Sequence, residues 1–185
     1  AATAGAQIYL GTSRREARDR TERTQDQQRA QFRGSDELPP HSFYFTRARY
    51  SGGGRGWRRG NSWATDYPKA VLPFLTVLTR LSNIDAYSED NAVNLDDPEL
   101  RRYPFLYALE VGFMSLTDQE VQGLRDYLLA GGFLMIDDFW STYQWRNFEQ
   151  EISRVLPEYP IVELPMDHPI FSSMYTIPEV IQVPT

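Results

Sequence analysis

The sequence predicts an α/β domain, a three-layer α/β/α sandwich on a mostly parallel sheet, with an extended N-terminal arm in front of it. Three observations carry that expectation. Strand-like and helix-like stretches alternate from residue 43 onward over about 120 residues, the pattern of a parallel sheet covered on both faces. Two strand-like stretches, 103 to 111 and 133 to 139, are apolar almost throughout, as parallel strands buried on both faces are. A length of 185 residues suffices for one full core and hardly for two. Residues 41 to 185 are accordingly taken as one domain and residues 1 to 40 as the arm.

Taken in order, "FYFTRARY" (43 to 50) reads as a strand and "SGGGRGWRRGNSW" (51 to 63) as a flexible basic loop. Pro68 opens a helix through residue 82, with Val71, Leu72, Leu75, Leu78 and Leu81 on one apolar face; Pro73 falls early enough to be tolerated. "AVNL" (92 to 95) is a short strand and "DDPEL" a turn opening a brief helix. After the apolar strand at 103 to 111, Thr117 and Glu120 match a capping box, each side chain accepting from the other's free amide. The helix they start runs through Val121, Leu124, Leu128 and Leu129 and stops at Gly131-Gly132, where a left-handed turn needs no side chain. "FLMIDDF" (133 to 139) is the next core strand, 147 to 156 a helix and "PIVEL" (160 to 164) a last strand. The tail from 175 to 185, apolar with two prolines, reads as an edge strand or strap.

Charge divides the chain. Residues 1 to 60 hold 12 Arg against 6 acids, and residues 61 to 185 hold 7 Lys and Arg against 19 acids, so an acidic body carries a basic front. Phosphates would meet a repulsive field on the body, which excludes nucleic acid as its partner. Residues 14 to 33 are polar on every side except at Ala17, Ala30 and Phe32, so no face of this segment can bury against the body and its expected contact is another protein chain. Arg14, Arg15, Arg18, Arg23, Arg29 and Phe32 of the arm are the candidate partner-binding residues, with Arg55, Trp57, Arg58 and Arg59 of the loop. The loop's glycines and arginines fit neither phosphate-binding spacing, so a phosphate site there is the weaker reading.

No stretch approaches the roughly 18 apolar residues of a membrane-spanning helix. There is no cysteine, which removes disulfides, thiolate metal sites and a thiol nucleophile. The opening "AATAGAQ" has the small residues that flank signal-peptidase cuts, and a periplasmic or otherwise exported protein is expected.

Asp137 and Asp138, at the end of a predicted central strand, stand where open α/β sheets place ligands. One reading makes either a base, a nucleophile or a cation ligand. Neighbours on a strand point to opposite faces, however, so the pair cannot share one proton or one metal ion while the strand is regular. The preferred reading is that one of them caps the next helix or binds backbone amides. His168, between Asp167 and Pro169, is a turn histidine or a general base; with no second His or Cys cluster near it, no metal site is expected. The catalytic set is therefore empty, and if there is chemistry it falls to Asp138, His168 and Asp137.

"WATDYP" (63 to 68), "LDDPELRRYPFLY" (95 to 107), "LTDQEVQGLRDYLLAGGFLMIDDF" (116 to 139) and "LPMDHPIF" (164 to 171) together resemble the bacterial DUF4159 domain over about residues 43 to 178. The resemblance implies a class I glutamine amidotransferase-like, flavodoxin-like sandwich. In catalytic members of that wider group, a helix ending in Gly-Gly feeds a strand whose tip carries the nucleophile, often a cysteine on a sharp elbow; here "IDDFW" holds the place. The resemblance supplies a fold and withdraws an activity. The expectation is a non-catalytic accessory subunit, without cofactor, docking through its arm and Arg/Trp loop onto other protein subunits of a larger complex. That complex would be anchored in a membrane, as an energy-transducing one is. The alternative is a hydrolase or ligand-binding protein working at the strand ends.

Overall fold

The computed structural model describes residues 41–52, 62–65, 67, 71–89, 91–138 and 140–179. The predicted arm, the loop between residues 53 and 61 and the start of the first helix at Pro68 lie outside them, as does the end of the tail. Among the described residues four short strands form one parallel sheet: β1 (Thr46–Arg49), β2 (Asn91–Asn94), β3 (Phe105–Leu109) and β4 (Phe133–Asp137), in the order β2-β1-β3-β4. Thr46 is level with Asn91 on one side and Leu106 on the other, and Phe105 is level with Phe133. Three helices connect and cover the strands: α1 (Val71–Leu81), α2 (Asp118–Leu129) and α3 (Ser141–Val155).

Strand alternation divides the side chains between two faces. On the first, Ala48, Val93, Leu106 and Ala108 meet Leu124 and Tyr127 of α2 and Phe148 and Val155 of α3, with Leu134 and Ile136 half-buried beside them. On the second, Phe45, Phe105 and Tyr107 meet Val71 and Leu75 of α1, with Leu78 partly buried. One helix on one face and two on the other make the three layers. We call these the open face and the closed face.

The closed face is fastened by polar contacts. The capping box of α2 is present: Thr117 Oγ1 accepts from the Glu120 amide and Glu120 Oε2 from the Thr117 amide. Buried Glu120 does more than cap, because its Oε1 accepts from both the amide and the hydroxyl of Ser51 beyond β1. α2 ends as expected, with Gly131 at φ +96°, a conformation that costs other residues energy. At Gly123 a Cβ would lie 1.9 Å from the Leu95 carbonyl oxygen, so glycine lets α2 sit directly on the loop after β2. Arg154 of α3 reaches Asp118 and the Leu116 carbonyl, and Arg125 of α2 reaches Glu158 and the Val155 carbonyl.

Several expected elements differ. The strand expected from 43 to 50 is four residues long, with only an isolated bridge from Phe43 to Ala86 before it, because β2 begins opposite Thr46. The brief helix after "DDPEL" is a 3-10 turn, Pro98–Arg102, whose Asp97 carboxylate accepts from the Glu99 amide. α3 begins six residues earlier than its apolar spacing indicates: Ser141, Thr142 and Tyr143 are exposed, and Trp145 is half-buried against the closed core. Residues 160 to 164 form no strand, and Ile161, Val162 and Leu164 are exposed: a strand exists only through its ladder, and this segment pairs with none. β4 is consequently an edge strand rather than a central one.

Candidate functional site

The carboxyl ends of β1, β3 and β4 carry the polar groups on the open face. "TRAR" puts Arg47 and Arg49 two residues apart, hence on the same face of β1. Arg47 is fully buried. Its Nη1 donates to the carbonyls of Trp63 (3.2 Å) and Thr65 (2.7 Å), and its guanidinium carbon lies 5.4 Å from the Tyr67 ring centre and 5.7 Å from that of Tyr107. Carbonyl oxygens and ring faces together offset the cost of taking this cation out of water. Arg49 lies 5.0 Å from the Trp63 ring centre.

From Arg47 the polar chain runs outward. Tyr107, level with Arg47 on β3, donates its hydroxyl to Asp137 Oδ2 at 3.1 Å, and Asp137 Oδ1 accepts from the amide of Asp138 at 2.8 Å. Burial, and then the nearby Asp137 carboxylate, push the Tyr107 hydroxyl up to about 12, against a smaller opposing pull from Arg47. At neutral pH Tyr107 is therefore a proton donor that holds Asp137 in place.

Asp138 lies just past β4 with φ +62°, in the left-handed region. Aspartate enters that region more readily than most residues, and here it turns the chain sharply at the strand tip. Glu110, just past β3, does the same at φ +53° and is buried. Of the two structural roles expected of these acids, capping the next helix or binding backbone amides, the second is found. Asp137 does bind a backbone amide, that of Asp138, but the residue before α3 is Trp140, which makes no side-chain cap. The Trp140 amide donates instead to the Gln144 side chain.

His168 stands elsewhere in the chain's contacts. It precedes the 3-10 turn Pro169–Ser172, is exposed, and accepts from the Ile170 amide on Nδ1 at 3.3 Å. Among the described residues no hydrogen bond joins His168 to Asp137 or Asp138, and no group of three His, Cys, Asp or Glu is arranged for a metal ion. Arg14, Arg15, Arg18, Arg23, Arg29, Phe32, Arg55, Trp57, Arg58 and Arg59 lie outside the described residues.

A second feature of the open face is apolar. Rings stack from α1 outward: Phe74 on Phe105 at 6.4 Å between centres and Phe105 on Phe133 at 5.9 Å. The row ends in the open, since Phe133 is 56% and Met135 41% exposed. α1, which covers the β1 side of this face, also exposes Leu72, Val77 and Leu81 beside Thr76, Thr79 and Arg80, its single charged residue, while Phe74 sits at the edge of the contact with the sheet. This corrects the predicted apolar stripe, of which Val71 and Leu75 are buried while Leu72 and Leu81 face outward. Sequence reading missed Arg47, Tyr107 and this surface. The signals were there in two arginines inside a strand and in a helix with one charge in 11 residues.

The family described as "Domain of unknown function (DUF4159)" matches residues 45–185, and the chain belongs to that family. No curated protein matches the chain. Among the described residues no helix is long and apolar enough to cross a membrane.

Proposed function

We propose that the chain is a non-catalytic accessory subunit that docks onto other protein chains of a larger assembly, and that the open face is a principal docking surface beside the Arg-rich arm and the Arg/Trp loop. The observation that carries this reading is the apolar surface made by Phe74, Val77 and Leu81 on one flank of α1, by the ring row Phe74, Phe105 and Phe133, and by Met135. Contiguous exposed apolar surface of this kind marks a protein contact. β4 strengthens it: among the described residues no strand pairs with its outer edge, and it has no proline or lysine to blunt that edge. The proposal places the subunit outside the cytoplasm, where a sequence without cysteine keeps the same covalent structure.

The test compares the tagged full chain with three variants in native extracts: deletion of residues 1 to 40, Val77→Glu, and Phe133→Glu. The wild type is expected to migrate with a larger assembly and each variant to lose part or all of that association. Migration of the wild type as an isolated chain, or unchanged association of all three variants, would overturn the proposal.

One observation favours a second reading, a hydrolase or small-ligand site at the strand ends. Asp138 takes a left-handed backbone at a strand tip, beside the Tyr107–Asp137 pair, and strained backbone gathers at functional positions. Hydrolysis of simple esters or amides that disappears in Asp138→Asn, with the fold retained, would favour this reading; equal turnover by both proteins would remove it.

A further inference from the structure

We propose that a second copy of this chain covers the open face, the two α1 helices lying antiparallel across a two-fold axis. The inference rests on the reading of that face as a docking surface and names its occupant. A surface helix ordinarily turns several charged residues to water, whereas α1 turns out one, Arg80, beside the hydroxyls of Thr76 and Thr79. α1 exposes Leu72, Phe74, Val77 and Leu81. Beside it the rings of Phe105 and Phe133 and the Met135 side chain floor a strip of sheet that no described helix covers. Each copy thus shows both an uncovered strip and an uncovered apolar helix, the self-complementary pair that a two-fold contact requires.

Charge fixes the direction. The body is acidic, with 19 acids against 7 basic residues from 61 to 185, so most of its surface repels a like copy. α1 contains no acid, and two copies can meet there without that penalty. After α1 the chain returns to the start of β1, where Ala86 bridges Phe43, so α1 runs back against the strand direction. An antiparallel α1 from the second copy then runs with the strands and brings its Arg80, in the last turn, toward the strand tips. There Asp137 and Asp138 stand, exposed and half-buried respectively. By symmetry the contact forms twice.

The full chain is tested by light scattering across a dilution series, with Val77→Glu, Arg80→Glu and the charge exchange Arg80→Glu with Asp137→Arg. The account expects a dimer for the wild type and loss of it in Val77→Glu. It expects at least about tenfold weaker association in Arg80→Glu and recovery in the exchanged pair. Circular dichroism confirms that each variant is folded; Val77 and Arg80 are exposed, so both substitutions are compatible with the fold. A wild type monomeric at every concentration overturns the inference, as does a dimer indifferent to Val77→Glu and Arg80→Glu. Either result leaves the accessory-subunit reading standing if the open-face variants still detach the chain from its native assembly.

Discussion

The two faces of the sheet are built from the same strands and finished differently. On the closed face, α2 and α3 turn Asp118, Gln119, Gln122, Arg146, Glu149 and Arg154 outward and bury Leu124, Tyr127, Phe148 and Val155. On the open face, α1 buries Val71 and Leu75, turns other apolar side chains outward, and among the described residues no helix covers the β4 side. The closed face turns mostly polar residues to water, with Leu129 and Tyr143 as its exposed exceptions on α2 and α3. The open face exposes Val77, Leu81, Phe133 and Met135, and the proposed partner is placed there.

Truncation should separate the faces most strongly. Leu124→Ala, in the closed core, is expected to cost about 3 kcal/mol, the usual result of opening a cavity in a packed interior. Val77→Ala in the dissociated chain should stay within about 0.5 kcal/mol, as exposed substitutions do. Urea unfolding of both variants checks the contrast, and equal losses would erase it. Next in size is Glu120→Ala, which strips acceptors from the Ser51 and Thr117 amides; about 2 kcal/mol is expected, a cap and a buried contact together.

Alkaline titration sharpens the comparison further. Burial raises Tyr107 on the open face and Tyr127 on the closed face to about 12. Because their folded values exceed the ordinary 10, their contribution is complete below pH 10 and is lost as pH climbs toward 12. Phenolate absorbance should therefore lag behind that of the unfolded chain. In an assembled state Tyr107, but not Tyr127, should lag more; identical behaviour in both states would count against cover on the open face. The smallest effect belongs to the exposed pair Arg125 and Glu158, in which the guanidinium lowers the carboxyl's pKa. That contribution is present above the carboxylate's ordinary range and disappears as pH falls through its lowered value. Glu158→Gln should cost a little stability at neutral pH and nothing in strong acid, as paired melting curves would show.

Local signals made much of the closed face legible in the sequence. Thr117 with Glu120 set the start of α2, Gly131 its end, and the spacing of Leu124 and Leu128 its buried side. Strand positions were legible for the same reason, but strand order was not. "FLMID" reads as a doubly buried strand because nothing local says that its outer neighbour is missing; apolar sequence at 133 to 137 and at 160 to 164 records a need for cover without naming the cover. The site was legible only at Asp137 and Asp138. Arg47 and Tyr107 meet through the pairing of β1 with β3, 60 residues apart in sequence, and no spacing rule reaches that far.

The central claim, that the open face is covered by protein in the native assembly and the closed face is not, can be read from two thiols. The chain has no cysteine of its own, so Val77→Cys on α1 and Glu149→Cys on α3 each introduce a single exposed reporter. Their rates of alkylation are compared in the native assembly and after its dissociation. Slow labelling at position 77 that becomes fast on dissociation, with fast labelling at 149 throughout, is the predicted result. Equal and fast labelling at both positions in the intact assembly would contradict the account.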